Sequence, residues 1–126
     1  MHLCCLRWHR QKEIKVMAAE SQLESKIRHY AESVKVLTYK FTSPGNADVP
    51  DRLFIKNCVT LFIEIKAGGE RPTAGQTEEL YRINAVGGFA TWVDNFVDAV
   101  EFIDLMDTSP PGELRRKIER HNSLIF

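Results

Sequence analysis

The stretch that most constrains this chain is Pro50 to Lys66, PDRLFIKNCVTLFIEIK. Arg52 to Lys56 and Val59 to Ile65 are rich in Ile, Leu, Phe and Val, and Asn57-Cys58 between them reads as a two-residue hairpin turn. With that loop length 56 faces 59, so 51 faces 64 and Asp51 comes to lie beside Glu64. The two-residue period of a strand puts Phe62, Glu64 and Lys66 on one face and Leu61, Ile63 and Ile65 on the other. Adjacent carboxylates repel and raise a pKa unless a cation separates them. A divalent metal held by Asp51 and Glu64, with Lys66 beside it, resolves that conflict.

At 126 residues the chain has room for one domain with a real core. A formal charge of zero gives no global attraction to nucleic acid or membrane. Residues 1–66 nevertheless hold 11 Lys/Arg against 7 Asp/Glu, which allows a basic face near the hairpin. No apolar run reaches the length of a membrane span. Three cysteines, Cys4, Cys5 and Cys58, form no disulfide framework and fit an intracellular, reducing setting. His2, Cys4, Cys5 and His9 lack the paired spacing of a zinc site.

Residues 1–16 show no helical or strand period and read as a leader, disordered or non-native, with the domain proper beginning near Met17. From Ala18 to Val36 the residues favour helix, with Leu23, Ile27, Tyr30, Ala31 and Val34 on one stripe and Glu24 beside it. Val36 to Phe41 reads as a strand, and 42–48 as a loop by composition. Pro50 holds Val49 extended and delivers Asp51 to the strand's start. Thr73 and Gln76 match a capping box at the start of a helix ending before Gly87-Gly88. Gln76 also falls on the stripe of Leu80 and Ile83, so its amide could instead meet the hairpin's polar face.

Phe89 to Val93 reads as a strand, followed by an Asp94-capped helix to Met106 with Phe96, Val97, Val100 and Ile103 on its apolar face. Asp98, Glu101, Asp104 and Asp107 read as its solvated side. A linker then leads to a short helix, Glu113 to His121, that docks on its own domain or on a second chain. The expected divisions are thus a leader 1–16, a domain 17–107 and a tail 108–126. The fold class is α/β, a central mixed sheet flanked by helices.

An aspartate after proline and a Glu-x-Lys, set opposite each other by a hairpin, resembles the arrangement of the PD-(D/E)xK nucleases. Mg²⁺ or Mn²⁺ takes oxygen ligands, and the Ile65 carbonyl between Glu64 and Lys66 is the natural third one. Lys66 would position or help deprotonate a water, or hold a phosphate. Lys40, Arg52, Lys56 and Arg71 are candidates for DNA-backbone contacts, with ordinary surface charge as the alternative.

Glu24-Ser-Lys-Ile27, Lys40-Phe-Thr-Ser-Pro-Gly45, Val49-Pro-Asp-Arg-Leu53, Phe62-Ile-Glu-Ile-Lys-Ala67 and Gln76 together resemble the VRR-NUC (virus-type replication-repair nuclease) family. Gly87-Gly88 and Val93-Asp94 have counterparts there too, and the likeness runs from about Glu20 to Phe102. The resemblance implies a restriction-endonuclease-like core and a metal-dependent, structure-selective deoxyribonuclease of phage or prophage replication, repair or recombination. It implies metal ligation by Asp51, Glu64 and the Ile65 carbonyl, with Glu24 reaching in from the first helix. Lys66 would be catalytic and Gln76 would support the site. A homodimer acting on branched DNA in the host cytoplasm is the matching expectation. A junction resolvase, a restriction-type endonuclease, an inactive nucleic-acid-binding module and an adaptor role for the acidic last helix and tail are the alternatives. Two departures stand out: Asp48 where the family usually has glycine, and a shortened spacer between Glu24 and Lys40.

Overall fold

Asn57 and Cys58 both adopt left-handed backbone, with φ of 53° and 64°. Paired positive φ values are what a tight two-residue hairpin needs to match the twist of its strands. The computed structural model describes residues 2–108 and 111–125, with side chains from Arg7 onward. In it β2 (Arg52–Lys56) and β3 (Val59–Ile65) pair antiparallel, Lys56 facing Val59 and Arg52 facing Ile63. That is the register expected from the loop length.

Strand β1 (Leu37–Lys40) flanks β2 antiparallel, from Leu37 opposite Ile55 to Lys40 opposite Arg52. It is shorter than the expected Val36 to Phe41. On the other side β4 (Phe89–Val93) pairs parallel with β3, so helix α2 (Ala74–Ala85) is the crossover between them. Parallel neighbours cannot be joined by a hairpin and need such a crossover. The sheet order is β1-β2-β3-β4.

The strand alternation read from sequence decides which helix covers which face. Leu61, Ile63 and Ile65 join Ile27 and Ala31 of helix α1 (His2–Ser33) and Phe102 and Ile103 of helix α3 (Phe96–Asp104) in the main core. Phe62 lies on the other face, against Leu80 and Ile83 of α2 and Ala90 and Trp92 of β4. Helix α4 (Gly112–Asn122) buries Leu114 and Ile118 in the main core, so it docks on its own domain.

An edge strand with unpaired peptide groups invites association. At the β4 edge, side chains take the place of another strand. Asn122 Nδ2 donates to the Ala90 carbonyl at 3.0 Å, and His121 Nε2 lies 2.9 Å from the Trp92 carbonyl. From α2, Asn84 Nδ2 donates to the same Ala90 carbonyl at 2.8 Å, while its Oδ1 accepts from the Ala90 amide.

Several local expectations change. Residues 2–16, read as an unstructured leader, form the first half of α1. Residues 7–15 are exposed all round, so a missing apolar stripe does not preclude helix here. A packed second half, nucleated on Ile27 and Ala31, lets the helix propagate outward at little cost. The N-cap of α3 is Asn95, whose side chain accepts from the Asp98 amide; Asp94 instead accepts from the Gly69 amide. The helix ends at Asp104 and a 3-10 turn covers Leu105–Asp107. Val97, expected on the packed face, is 64% exposed, and Ala99 and Phe102 are buried instead. The acids on the outer side of α3 have partners: Glu101 meets Lys117 at 2.8 Å, Asp107 meets Lys56 and Asp104 accepts from Tyr30.

Candidate active site

Asp51 lies one residue before β2, where Pro50 is buried and the Phe41 amide donates to the Asp51 carbonyl at 2.8 Å. Its carboxylate crosses to the neighbouring strand, where Oδ2 accepts from the Ile65 amide at 2.8 Å. This contact fixes Asp51 beside Glu64, as the hairpin geometry requires. Burial raises the Asp51 pKa, opposed by the Ile65 hydrogen bond.

Glu64 is 3% exposed, and Oε2 is buried without a hydrogen-bond partner. Desolvation, joined by repulsion from Asp51, pushes its pKa up to about 9, with Lys66 opposing. Lys66 Nζ lies 3.8 Å from Glu64 Oε1, and its amide is anchored to the Val93 carbonyl at 2.9 Å. Asp51, Glu64 and Lys66 are therefore one electrostatic unit.

Glu24 takes another position. Its Oε2 lies 3.0 Å from Arg52 Nη1 and 3.7 Å from Lys40 Nζ. Its charge still bears on Asp51, so it borders the pair, held by the two cations. Among the described residues no three His, Cys, Asp or Glu side chains converge as a metal cluster. The carboxylates that come together here are two, Asp51 and Glu64.

The four candidate DNA contacts separate. Arg52 is 7% exposed, its Nε donating to Thr38 Oγ1 at 3.2 Å, and it faces inward to Glu24. Lys56 sits at the turn end of β2, bonded to the Val34 carbonyl at 2.8 Å and to Asp107. At about 3.4 Å per residue, five residues place its backbone roughly 17 Å from Asp51. Lys40 is exposed on the rim beside Glu24, and Arg71 is exposed with its guanidinium 4.9 Å from the Trp92 ring centroid.

Gln76 forms the capping box. Its Oε1 accepts from the Thr73 amide at 2.9 Å, and its own amide donates to Thr73 Oγ1 at 3.2 Å. Asp48 lies against the same helix start: a Cβ built on Gly75 would come within 2.4 Å of Asp48 Oδ2. The aspartate thus occupies space that any larger residue at 75 would claim, at the helix end that favours negative charge.

Two further residues belong to the site. Trp92 pairs in register with Glu64 across the parallel ladder, and paired residues share a face. Its buried side chain, whose indole Nε1 lacks a hydrogen-bond partner, lies on the Glu64 face of the sheet. Glu20, one helical turn before Glu24, adds its charge to the repulsion at Glu64. The i, i+4 spacing was available in the sequence; the parallel register of Trp92 was not.

No family model matches the chain. It is 39% identical over 69 residues to "Putative nuclease p44" of Acyrthosiphon pisum secondary endosymbiont phage 1, covering 54% of this chain and 74% of that protein. The chain belongs to the VRR-NUC family. Two solved structures share the fold. A "VRR_NUC domain" superposes with a TM-score of 0.63 at 23% identity over 68% of this chain and 95% of the other. A "VRR_NUC domain protein" gives 0.60 at 17% identity over 70% and 87%. The mixed four-stranded sheet flanked by helices is thus the VRR-NUC fold. No helix among the described residues is long and apolar enough to cross a membrane.

Proposed function

We propose that this protein is a metal-dependent deoxyribonuclease that hydrolyses phosphodiester bonds at Asp51, Glu64 and Lys66. The observation that carries the reading is Glu64: a buried carboxyl beside a second carboxyl, with one oxygen unpartnered. When Glu64 ionises, leaving that oxygen unmatched costs roughly 1–3 kcal/mol or more, which a divalent cation would offset. Asp51, Glu64 and the Ile65 carbonyl would hold Mg²⁺ or Mn²⁺, hard cations that prefer oxygen and keep several waters. Such an ion lowers the pKa of a bound water and neutralises charge developing on phosphate.

The chain's own residues supply the rest. Lys66 carries a positive charge beside Glu64, where it can hold a phosphate oxygen or orient the attacking water. Trp92 lies buried on the same face of the sheet as Glu64. Lys40 and Arg71, both exposed, bracket the site as backbone contacts that position DNA without reading sequence. Arg52 holds Glu24 on the border of the pair, from where Glu24 can reach the ion through water. Gln76 acts on the site through the first turn of α2, which it fastens. The nuclease fold takes in 17–107 together with α4, whose Leu114 and Ile118 share its core, and residues 2–16 extend α1 beyond it.

The phage protein to which the chain is similar supports a role in phage or prophage replication, repair or recombination in the host cytoplasm. A homodimer presenting two sites would suit branched DNA. The test compares wild type with Lys66→Ala on flap, junction and linear duplex DNA with Mg²⁺, Mn²⁺ or EDTA. Metal-dependent cleavage lost in the variant is expected. Equal cleavage by the variant removes the mechanism, and no wild-type cleavage under any metal removes the nuclease reading.

A further inference from the structure

Helix α1 passes the catalytic pair at Glu20 and Glu24 and then continues outward to His2. From Glu20 back to Arg7 is 13 residues, or about 20 Å of helix at 1.5 Å per residue. Residues 7–15 are all exposed. Over 7–19 the charged side chains are Arg7, Arg10, Lys12 and Lys15 against Glu13 alone, in a chain whose formal charge is zero. Among the described residues none of these four cations is paired with a carboxylate; Lys12 Nζ instead lies 5.6 Å from the Trp8 ring centroid.

We propose that the outward half of α1 is an arm that holds the DNA backbone beyond the active site. The inference rests on the nuclease reading. At about 100° per residue the four cations span roughly 200° of the helix circumference. Glu13 falls in the gap, on the side that carries Glu20 and Glu24. DNA lying along the helix therefore meets cations on either flank of an acidic line that leads to the catalytic carboxylates. Polyanion complementarity favours this occupant, as does continuity with a site that acts on phosphodiesters. A membrane fits less well: exposed Ile14 and Met17 share one side, but Arg10 falls between them around the helix and Trp8 faces the other way, so they make no broad apolar face.

The test uses the full chain with Arg7, Arg10, Lys12 and Lys15 all changed to alanine. These positions are exposed and alanine favours helix, so fold and helicity, followed by circular dichroism, should hold. Binding to a labelled 30-bp duplex is measured by fluorescence anisotropy in EDTA across a salt series. Loss of about two phosphate contacts at once predicts roughly tenfold weaker affinity and a log–log salt slope shallower by about 2. Glu13→Lys, which fills the acidic gap, should tighten binding. In metal, the quadruple variant should raise KM with kcat little changed. An affinity change under threefold, or a Glu13→Lys variant that binds no more tightly, overturns the proposal. So does transfer of the arm's binding to anionic phosphatidylserine vesicles or to a second copy while DNA affinity stays constant. Because binding is read in EDTA, loss of cleavage in all forms would sink the nuclease reading and leave the arm standing.

Discussion

Asp51 Oδ2 accepts a hydrogen bond from the Ile65 amide across the hairpin at 2.8 Å, just beyond the terminal strand pair of Arg52 and Ile63. That single bond converts a register into a site. It aims one carboxylate oxygen at the backbone and keeps the carboxyl group beside Glu64.

The first consequence concerns pH. Folded Glu64 keeps its proton up to about pH 9, whereas an unfolded glutamate loses it near its ordinary value of 4.5. Between those limits the unfolded state binds fewer protons, so this group makes the metal-free protein less stable as pH rises. Asp51, also raised, contributes with the same sign. From pH 6 to pH 8 the loss should be on the order of 2 kcal/mol. Urea unfolding in EDTA would show it, and Glu64→Gln should flatten the dependence. Stability that rises through this window would contradict the assignment.

Metal binding should carry the same signature in reverse. A cation at Glu64 must displace its proton, so Mn²⁺ affinity should climb from pH 6 to pH 8.5, with protons released to buffer. Calorimetry in buffers of different ionisation enthalpy measures both. A pH-independent affinity would mean that the ion sits elsewhere.

Glu24 and Arg52 form a largely enclosed ion pair, with side chains 20% and 9% exposed. Removing one partner should cost more than removing both. Arg52→Met is expected to destabilise by roughly 2–3 kcal/mol, discounting the fully buried range for the solvent that reaches Glu24. Adding Glu24→Leu should recover much of that loss, as a double-mutant cycle in urea would show. Additive losses would mean that the two side chains act independently.

Asp48 and Gly75 are coupled sterically. Gly75→Ala ordinarily gains up to about 1 kcal/mol of helix propensity, but here the new methyl meets the Asp48 carboxylate. The single variant should be neutral or destabilised by about 1 kcal/mol, and Asp48→Gly should restore the gain. Thermal melts of the four combinations test this, and an unconditional gain from Gly75→Ala would refute it.

The hairpin, its turn and the two faces of β3 were legible in the sequence because a strand's two-residue period leaves little freedom once the loop length is known. Glu24 stood out as a candidate through the family resemblance but not as the partner of Arg52, because a salt bridge between distant segments leaves no spacing signal. The same reason hides the roles of Arg52 and Lys56, which composition alone marks as surface cations. Trp92 escaped because parallel register depends on how a crossover helix packs. Helix in residues 2–16 escaped because a segment with nothing to bury shows no stripe. Asp48 stood out as a departure, and only the approach of Gly75 explains how it is accommodated.

The most direct measurement is cleavage of end-labelled branched DNA by wild type and Asp51→Asn, with Mg²⁺, Mn²⁺ or EDTA. Wild type should cleave only with metal. Asp51→Asn, which keeps the Ile65 hydrogen bond and relieves repulsion at Glu64, should stay folded at least as stably yet lose about 100-fold or more in rate. Cleavage by Asp51→Asn at the wild-type rate, or cleavage in EDTA, would contradict a metal-dependent site built on Asp51 and Glu64.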